Sequence, residues 1–141
     1  MGNVKITPIK EEDYKFINKW WKMINKLPPP RKLLPENGLH GLIVYKENKP
    51  IACLYIYLTN SGFAYSDYMI SDIHYKNKDR FNILLLLMQR AIQTAFNLGF
   101  EDFWFMTKDK GMLKRCKALG INISEDPYYL ICTAKDNKNI K

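Results

Sequence analysis

The sequence is short of the residues that hold metals and cross-links. Among its 141 residues are three cysteines, Cys53, Cys116 and Cys132, and two histidines, His40 and His74. The cysteine count is odd and no C-x-x-C pair occurs, which argues against a disulfide framework and a Cys/His zinc site and suits a reducing cytosol. No metal is expected. No apolar run approaches the roughly 20 residues that cross a bilayer, and no signal-peptide pattern precedes the first charged residues, so the expected location is cytoplasmic, with no membrane partner. The start MGNVKIT has Ile6 where an N-myristoylation signal needs Ser or Thr. Acidic residues are scarce too: 14 Asp and Glu face 22 Lys and Arg, a formal charge of +8. That surplus favours anionic ligands, among them phosphorylated cofactors, nucleic acid or an acidic partner. The chain is also rich in Lys, Asn and Ile, as AT-rich genomes tend to produce, so charge alone assigns no site. Finally, glycine is missing from HYKNKDRF, the basic turn that leads into the longest apolar helix pattern.

What is present is the material of a folded globule, 47% hydrophobic and 13% aromatic. Its length fits one domain over residues 1–141, with 135–141 a polar, fraying tail. VKIT (4–7) reads as a short strand. In EEDYKFINKWWKMINK, Tyr14, Ile17, Trp20, Trp21 and Ile24 recur at helical spacing behind the first-turn acids Glu11, Glu12 and Asp13. The prolines of LPPPRKLLPENG (27–38) end that helix and predict a semi-rigid, mostly extended loop. Strands are expected at 40–46, 50–59 and 63–71, joined by short turns as an antiparallel meander. A helix follows over 79–98, with Asp79 as N-cap and Gly99 as stop. The remaining elements are a strand at 101–107, a short helix capped by Asp109 and stopped by Gly120, and a last strand at 128–134. The order is β-α-β-β-β-α-β-α-β. The strand–helix–strand unit around 79–98 requires parallel strands, so an α/β (α+β) fold is expected, with a mixed, mostly antiparallel sheet and helices on both faces.

That order, with DKGMLKRCKALGI as its best local match (Asp109, Met112, Leu119, Gly120 and Ile121), resembles the GNAT superfamily of acyl-CoA N-acyltransferases. The WWK helix, the proline-rich loop and the ENGLHGLIVYKENKPIACLYIYLTNS hairpin are similar to uncharacterised phage-type members. The resemblance implies acetyl-CoA, or another acyl-CoA, as co-substrate and an amine as acceptor. Family members carry Gln/Arg-x-x-Gly-x-Gly/Ala after the fourth strand, and its amides cradle the pyrophosphate. Here that segment is Lys76, Asn77, Lys78, Asp79, Arg80 and Phe81. Glycine lets a backbone approach a phosphate closely; Phe81 fills that space, and Asp79 adds like charge. In compensation, a helix N-terminus keeps unsatisfied amides and a positive dipole end, and Lys76, Lys78 and Arg80 supply cations. The alternative is a solvated basic turn.

By the same resemblance, backbone groups at Met69, Ile70 and Ser71 align the pantetheine arm. The position of the family's general-acid tyrosine holds Cys116, for which a small buried residue is the stronger reading. Asp67 and Asp72 are the acids nearest the expected cleft, and simple strand alternation puts Asp67 on the Met69 and Ser71 face and Asp72 on the Ile70 face. Each also reads as a solvated strand-end acid. Trp20, Trp21, Tyr55 and Tyr57 are candidates for an acceptor pocket, against core or rim packing. His74 reads as an exposed loop residue. The leading expectation is an acetyltransferase acting by direct attack of the amine. The alternatives are a noncatalytic GNAT-fold protein that engages nucleic acid or a host protein, and a phage enzyme that modifies nucleobases. A homodimer is compatible with all three.

Overall fold

In the computed structural model, residues 2–107, 109–118 and 120–124 are described. They fall into two compact units, Met1–Met106 and the segment from Thr107 onward. The expected last strand at 128–134, the polar tail, Cys132 and Leu119 lie outside the described residues.

The first unit is a five-stranded sheet in the order β1-β2-β3-β4-β5, comprising β1 (Val4–Pro8), β2 (Gly41–Lys46), β3 (Lys49–Leu58), β4 (Phe63–Ser71) and β5 (Asp102–Phe105). The first four are antiparallel neighbours, and β5 runs parallel to β4. This is the mixed sheet expected from the element order. Between β4 and β5 lies α2 (Arg80–Asn97), and α1 (Tyr14–Met23) follows β1. Residues 51–56 of β3 are all buried, so both faces of the central strand are covered. One layer joins Ile17 and Trp20 of α1 to Ile43, Cys53, Tyr55 and Ile70. On the other face, α2 lies against β2 and β3 and buries Ile83, Leu87, Ala91 and Ala95, a stripe at helical spacing.

Two local endings differ from expectation. The first helix stops before the prolines, because Asn25 adopts φ +57° and the amide of Lys26 returns to the Trp21 carbonyl at 3.1 Å; asparagine tolerates this left-handed cap. The proline-rich segment is not extended either. It folds as two 3₁₀ turns, Arg31–Leu33 and Pro35–Gly38, with Leu34 buried in the α1-side core. By contrast, Gly99 ends α2 at φ +99° as the sequence predicts.

In the second unit, α3 (Lys110–Ala118) is capped by Asp109, whose Oδ1 accepts the amides of Gly111 at 2.9 Å and Met112 at 3.3 Å. It ends as expected at Gly120, φ +78°, with the Ile121 amide donating to the Cys116 carbonyl at 3.1 Å. No helix among the described residues is long and apolar enough to cross a membrane.

Candidate functional site

The site is built around a break in β4. Cys53 of β3 pairs with Ile70, and Tyr55 pairs with Asp67. One residue, Leu54, therefore faces two on β4, Tyr68 and Met69. Tyr68 takes up the extra length at φ +57°, the conformation of a bulged position. The bulge corrects the alternation argument. Asp67 and Ile70 now share the α1-side face with Cys53 and Tyr55, while Ser71, opposite Ala52, lies on the α2 side. A strand that gains a residue changes the parity of everything beyond it.

Pairing with β5 stops where the bulge begins. The parallel register runs from Phe63↔Asp102 to Ser66↔Phe105 and no further. Over residues 67–71, the β5-side edge of β4 has no strand paired to it among the described residues. That edge offers backbone donors and acceptors to a ligand lying alongside, and it includes Met69, Ile70 and Ser71.

The turn after β4 is braced from within. Arg80 donates to the carbonyls of Asp72 and Tyr75 at 2.9 and 2.8 Å and to Ser71 Oγ at 2.6 Å. Its guanidinium holds the turn closed and is not one of the outward cations the sequence suggested. Nor does Asp79 cap α2 with its side chain. Its carboxylate accepts from Tyr75 Oη at 2.8 Å and pairs with Lys46 Nζ. Lys46 foremost, then Tyr75, holds the Asp79 carboxyl below its ordinary range. Asn77 donates to the same Tyr75 hydroxyl at 3.3 Å. Lys76 and Lys78 are exposed, and Phe81 is half-buried. Asp72 is buried at 8% exposure, with Oδ1 accepting the His74 amide at 2.9 Å, so this carboxylate serves the turn. His74 is exposed as expected. Sequence reasoning missed Lys46 and Tyr75. Lys46 lies on β2, 33 residues from Asp79, where no local spacing could reveal the pair.

Of the four aromatic candidates for an acceptor pocket, two are core. Trp20 is 2% exposed and Tyr55 is fully buried, so neither can line an open pocket. The Tyr55 hydroxyl donates to Tyr14 Oη at 2.9 Å, and Tyr14 donates onward to the Gly38 carbonyl at 2.6 Å. Burial raises both phenols above their ordinary range. Trp21 and Tyr57 are half-buried. The Tyr57 hydroxyl reaches the Leu33 carbonyl at 3.2 Å and ties the proline-rich segment to β3. Arg31 secures the same segment: its guanidinium grips Glu11 at 2.8 and 2.5 Å, donates to the Asn37 carbonyl at 2.8 Å and lies 3.9 Å from the Tyr14 ring centroid. Cys116 is buried on α3 in the second unit, and burial pushes its thiol up. Among the described residues no group of three or more His, Cys, Asp or Glu is placed to hold a metal ion.

No protein-family model matches the chain, and no curated protein matches it in sequence. Solved structures do match. An aminoglycoside acetyltransferase from an uncultured soil metagenomic sample, in complex with trehalose, superposes with a TM-score of 0.66 at 20% identity, covering 94% of this chain and 97% of that one. The ribosomal-protein-S18-alanine N-acetyltransferase from Escherichia coli matches with a TM-score of 0.66 at 12% identity, over 86% and 79% of the two chains. N-acetylglutamate synthase from Neisseria gonorrhoeae, complexed with coenzyme A and N-acetyl-glutamate, matches at 0.66 and 11% over 83% of this chain and 28% of its own. The parted β4–β5 pair, the helix between those strands and these superpositions together identify the fold as that of the GNAT acetyltransferases.

Proposed function

We propose that this protein is an acyl-CoA-dependent N-acyltransferase, passing an acetyl or similar acyl group to an amine by direct attack, without a covalent enzyme intermediate. The observation that carries the reading is the parting of β4 and β5 after Ser66, which leaves residues 67–71 with an unpaired edge leading to the start of α2. An extended amide-bearing chain suits such an edge, because it can make the hydrogen bonds a neighbouring strand would make. An acyl-CoA would supply the activated thioester. The residues present fit its phosphates in a way that differs from the glycine-rich turn. Exposed Lys76 and Lys78 and the N-terminus of α2 provide positive potential, Asn77 provides a polar side chain, and Lys46 offsets the charge of Asp79. Arg80 acts indirectly, by keeping the turn in shape. Backbone amides on the free β4 edge are the groups suited to polarising a thioester carbonyl.

Attack requires a neutral amine. Asp67, half-buried at the bulge, is the carboxylate we assign to accept the ammonium proton. The departing thiolate then takes its proton from water or from the amine.

A second reading, a noncatalytic binding protein, is favoured by Asp79 and Phe81 standing where the family has small residues. Calorimetric titration with acetyl-CoA separates the two, with Lys76→Ala/Lys78→Ala as the control. Micromolar binding that weakens at least tenfold in the double variant is the expected result. Absence of heat at millimolar acetyl-CoA would overturn the acyltransferase reading and leave the binding protein.

A further inference from the structure

The α1-side face of the sheet carries a row of stacked rings for which the acyl-donor half of the site has no use. Tyr57 and Tyr65 stand opposite each other on β3 and β4 and stack with centroids 4.8 Å apart and planes 6° from parallel. Tyr65 meets Phe63 at 6.3 Å, and Phe63 stacks on Trp104 of β5 at 4.2 Å and 21°. Trp104 is itself oriented by a 3.2 Å hydrogen bond from Nε1 to Asp102 Oδ2. Four rings thus form a rail across three strands. It differs from the core beside it: Tyr55, two residues along the strand from Tyr57, is fully buried, whereas Tyr57, Tyr65 and Phe63 are half-buried and Trp104 is 52% exposed.

A charge stands beside the second ring of the rail. Asp67 follows Tyr65 on the same strand and the same face, at the point where pairing with β5 has ended. Its Oδ1 accepts the Tyr68 amide at 2.7 Å, and its charge is among the causes that raise the Tyr57 phenol, after burial and Tyr68. A carboxylate on the same face as this row of rings has a specific chemical complement. An ammonium is drawn to the carboxylate, while a flat ring borne by the same amine extends the stack at the exposed Trp104.

We propose that this rail is the acceptor subsite and that the acceptor is a primary amine carried on a flat ring, with the ring laid along Tyr65, Phe63 and Trp104 and the ammonium at Asp67. The inference rests on the acyltransferase reading for its function, but binding tests it independently of acyl transfer. A linear alkylamine would satisfy Asp67 and leave the rail uncovered, so ring-bearing amines should be selected over it.

The full chain is titrated, without acetyl-CoA, with 2-phenylethylamine and with n-hexylamine, following heat and tryptophan emission. The expected result is at least tenfold tighter binding of the aromatic amine. Trp104→Ala should remove that preference while hexylamine affinity stays, and Phe63→Leu, a milder change in the same stack, should reduce it. Asp67→Asn should weaken both amines alike. Equal affinity for the two amines, no binding of either, or a preference that survives Trp104→Ala would overturn the proposal. Retained acetyl-CoA binding with no ring preference would refute this inference alone. Ring preference without acetyl-CoA binding would refute the acyltransferase reading instead.

Discussion

Lys46, the last residue of β2, holds the carboxylate of Asp79, the residue that precedes α2. The pair explains how an acid can stand beside the turn proposed to hold phosphates. Both side chains are only 18% exposed, so solvent screens their charges incompletely. Removing the lysine alone would leave Asp79 opposing any phosphate that approaches. Lys46→Ala should therefore weaken acetyl-CoA binding roughly three- to tenfold, and adding Asp79→Asn to that variant should recover most of the loss. Calorimetry on the two variants checks this. Equal losses in both would mean that Lys46 contacts the ligand itself.

Arg31 acts as the latch of the proline-rich segment, and its pairing with Glu11 depends on pH. The Arg31 guanidinium lowers the Glu11 carboxyl from its ordinary 4.5. A carboxyl with a depressed folded value adds stability above its unfolded value and loses it as pH falls through the folded one. Glu11→Gln should accordingly lower Tm at pH 7, and the difference from the parent chain should shrink as pH falls below 4.5. Arg31→Lys should not substitute, since a lysine cannot make the bidentate grip and the Asn37 contact together. Subtilisin digestion should cut residues 27–38 faster in Arg31→Lys than in the parent chain.

The buried hydroxyl pair gives an asymmetric expectation. Tyr14 donates to Gly38 and accepts from Tyr55. Tyr55→Phe leaves the bond to Gly38 in place and should cost about 0.5–1.5 kcal/mol. Tyr14→Phe strands both the Tyr55 hydroxyl and the Gly38 carbonyl in the core, so its cost should exceed that of Tyr55→Phe, at about 1–3 kcal/mol. Urea unfolding of the two variants measures the difference. The reverse order would show that water enters to satisfy the orphaned groups.

Gly41 is the one glycine in β2, and it has no room for a methyl group. A Cβ there would lie 2.2 Å from the Leu54 carbonyl oxygen and 3.1 Å from the Tyr55 Cα, both backbone atoms of β3. Gly41→Ala should destabilise the fold by about 1–3 kcal/mol, as overpacking of a closed core does. An unchanged urea midpoint would mean the hairpin shifts freely.

Elements governed by local chemistry were legible in the sequence. The helical spacing of Ile17 and Trp20, the glycine stops at Gly99 and Gly120, and the Asp109 cap all reappear in the structure. The meander and the parallel β4–β5 pair follow from turn residues and a crossover rule, and they too were readable. Features that depend on distant partners were not. Asp79 has the chemistry of a helix cap, but the stronger demand of Lys46 takes its carboxylate. Arg80 looks like an outward cation, but three acceptors in its own turn claim it. Tyr55 and Tyr57 are indistinguishable as letters in an alternating strand; only the end of α1-side coverage separates a buried phenol from a half-buried one. The bulge at Tyr68 was invisible because nothing in SDYMIS marks it, and a tyrosine is an unusual occupant of a left-handed position.

That bulge also says which length changes this chain can survive. Between Phe63 and Ser71 the strand carries two patterns out of phase, and Tyr68 is the spacer that reconciles them. Deleting one residue there would make β4 a regular strand, yet one of its two halves would have to turn over. Either Phe63, Tyr65 and Asp67 would be driven into the hydrocarbon beneath α2, or Ile70 would be turned out of the opposite layer. Substitutions along this stretch are open to gradual change, whereas its length is not.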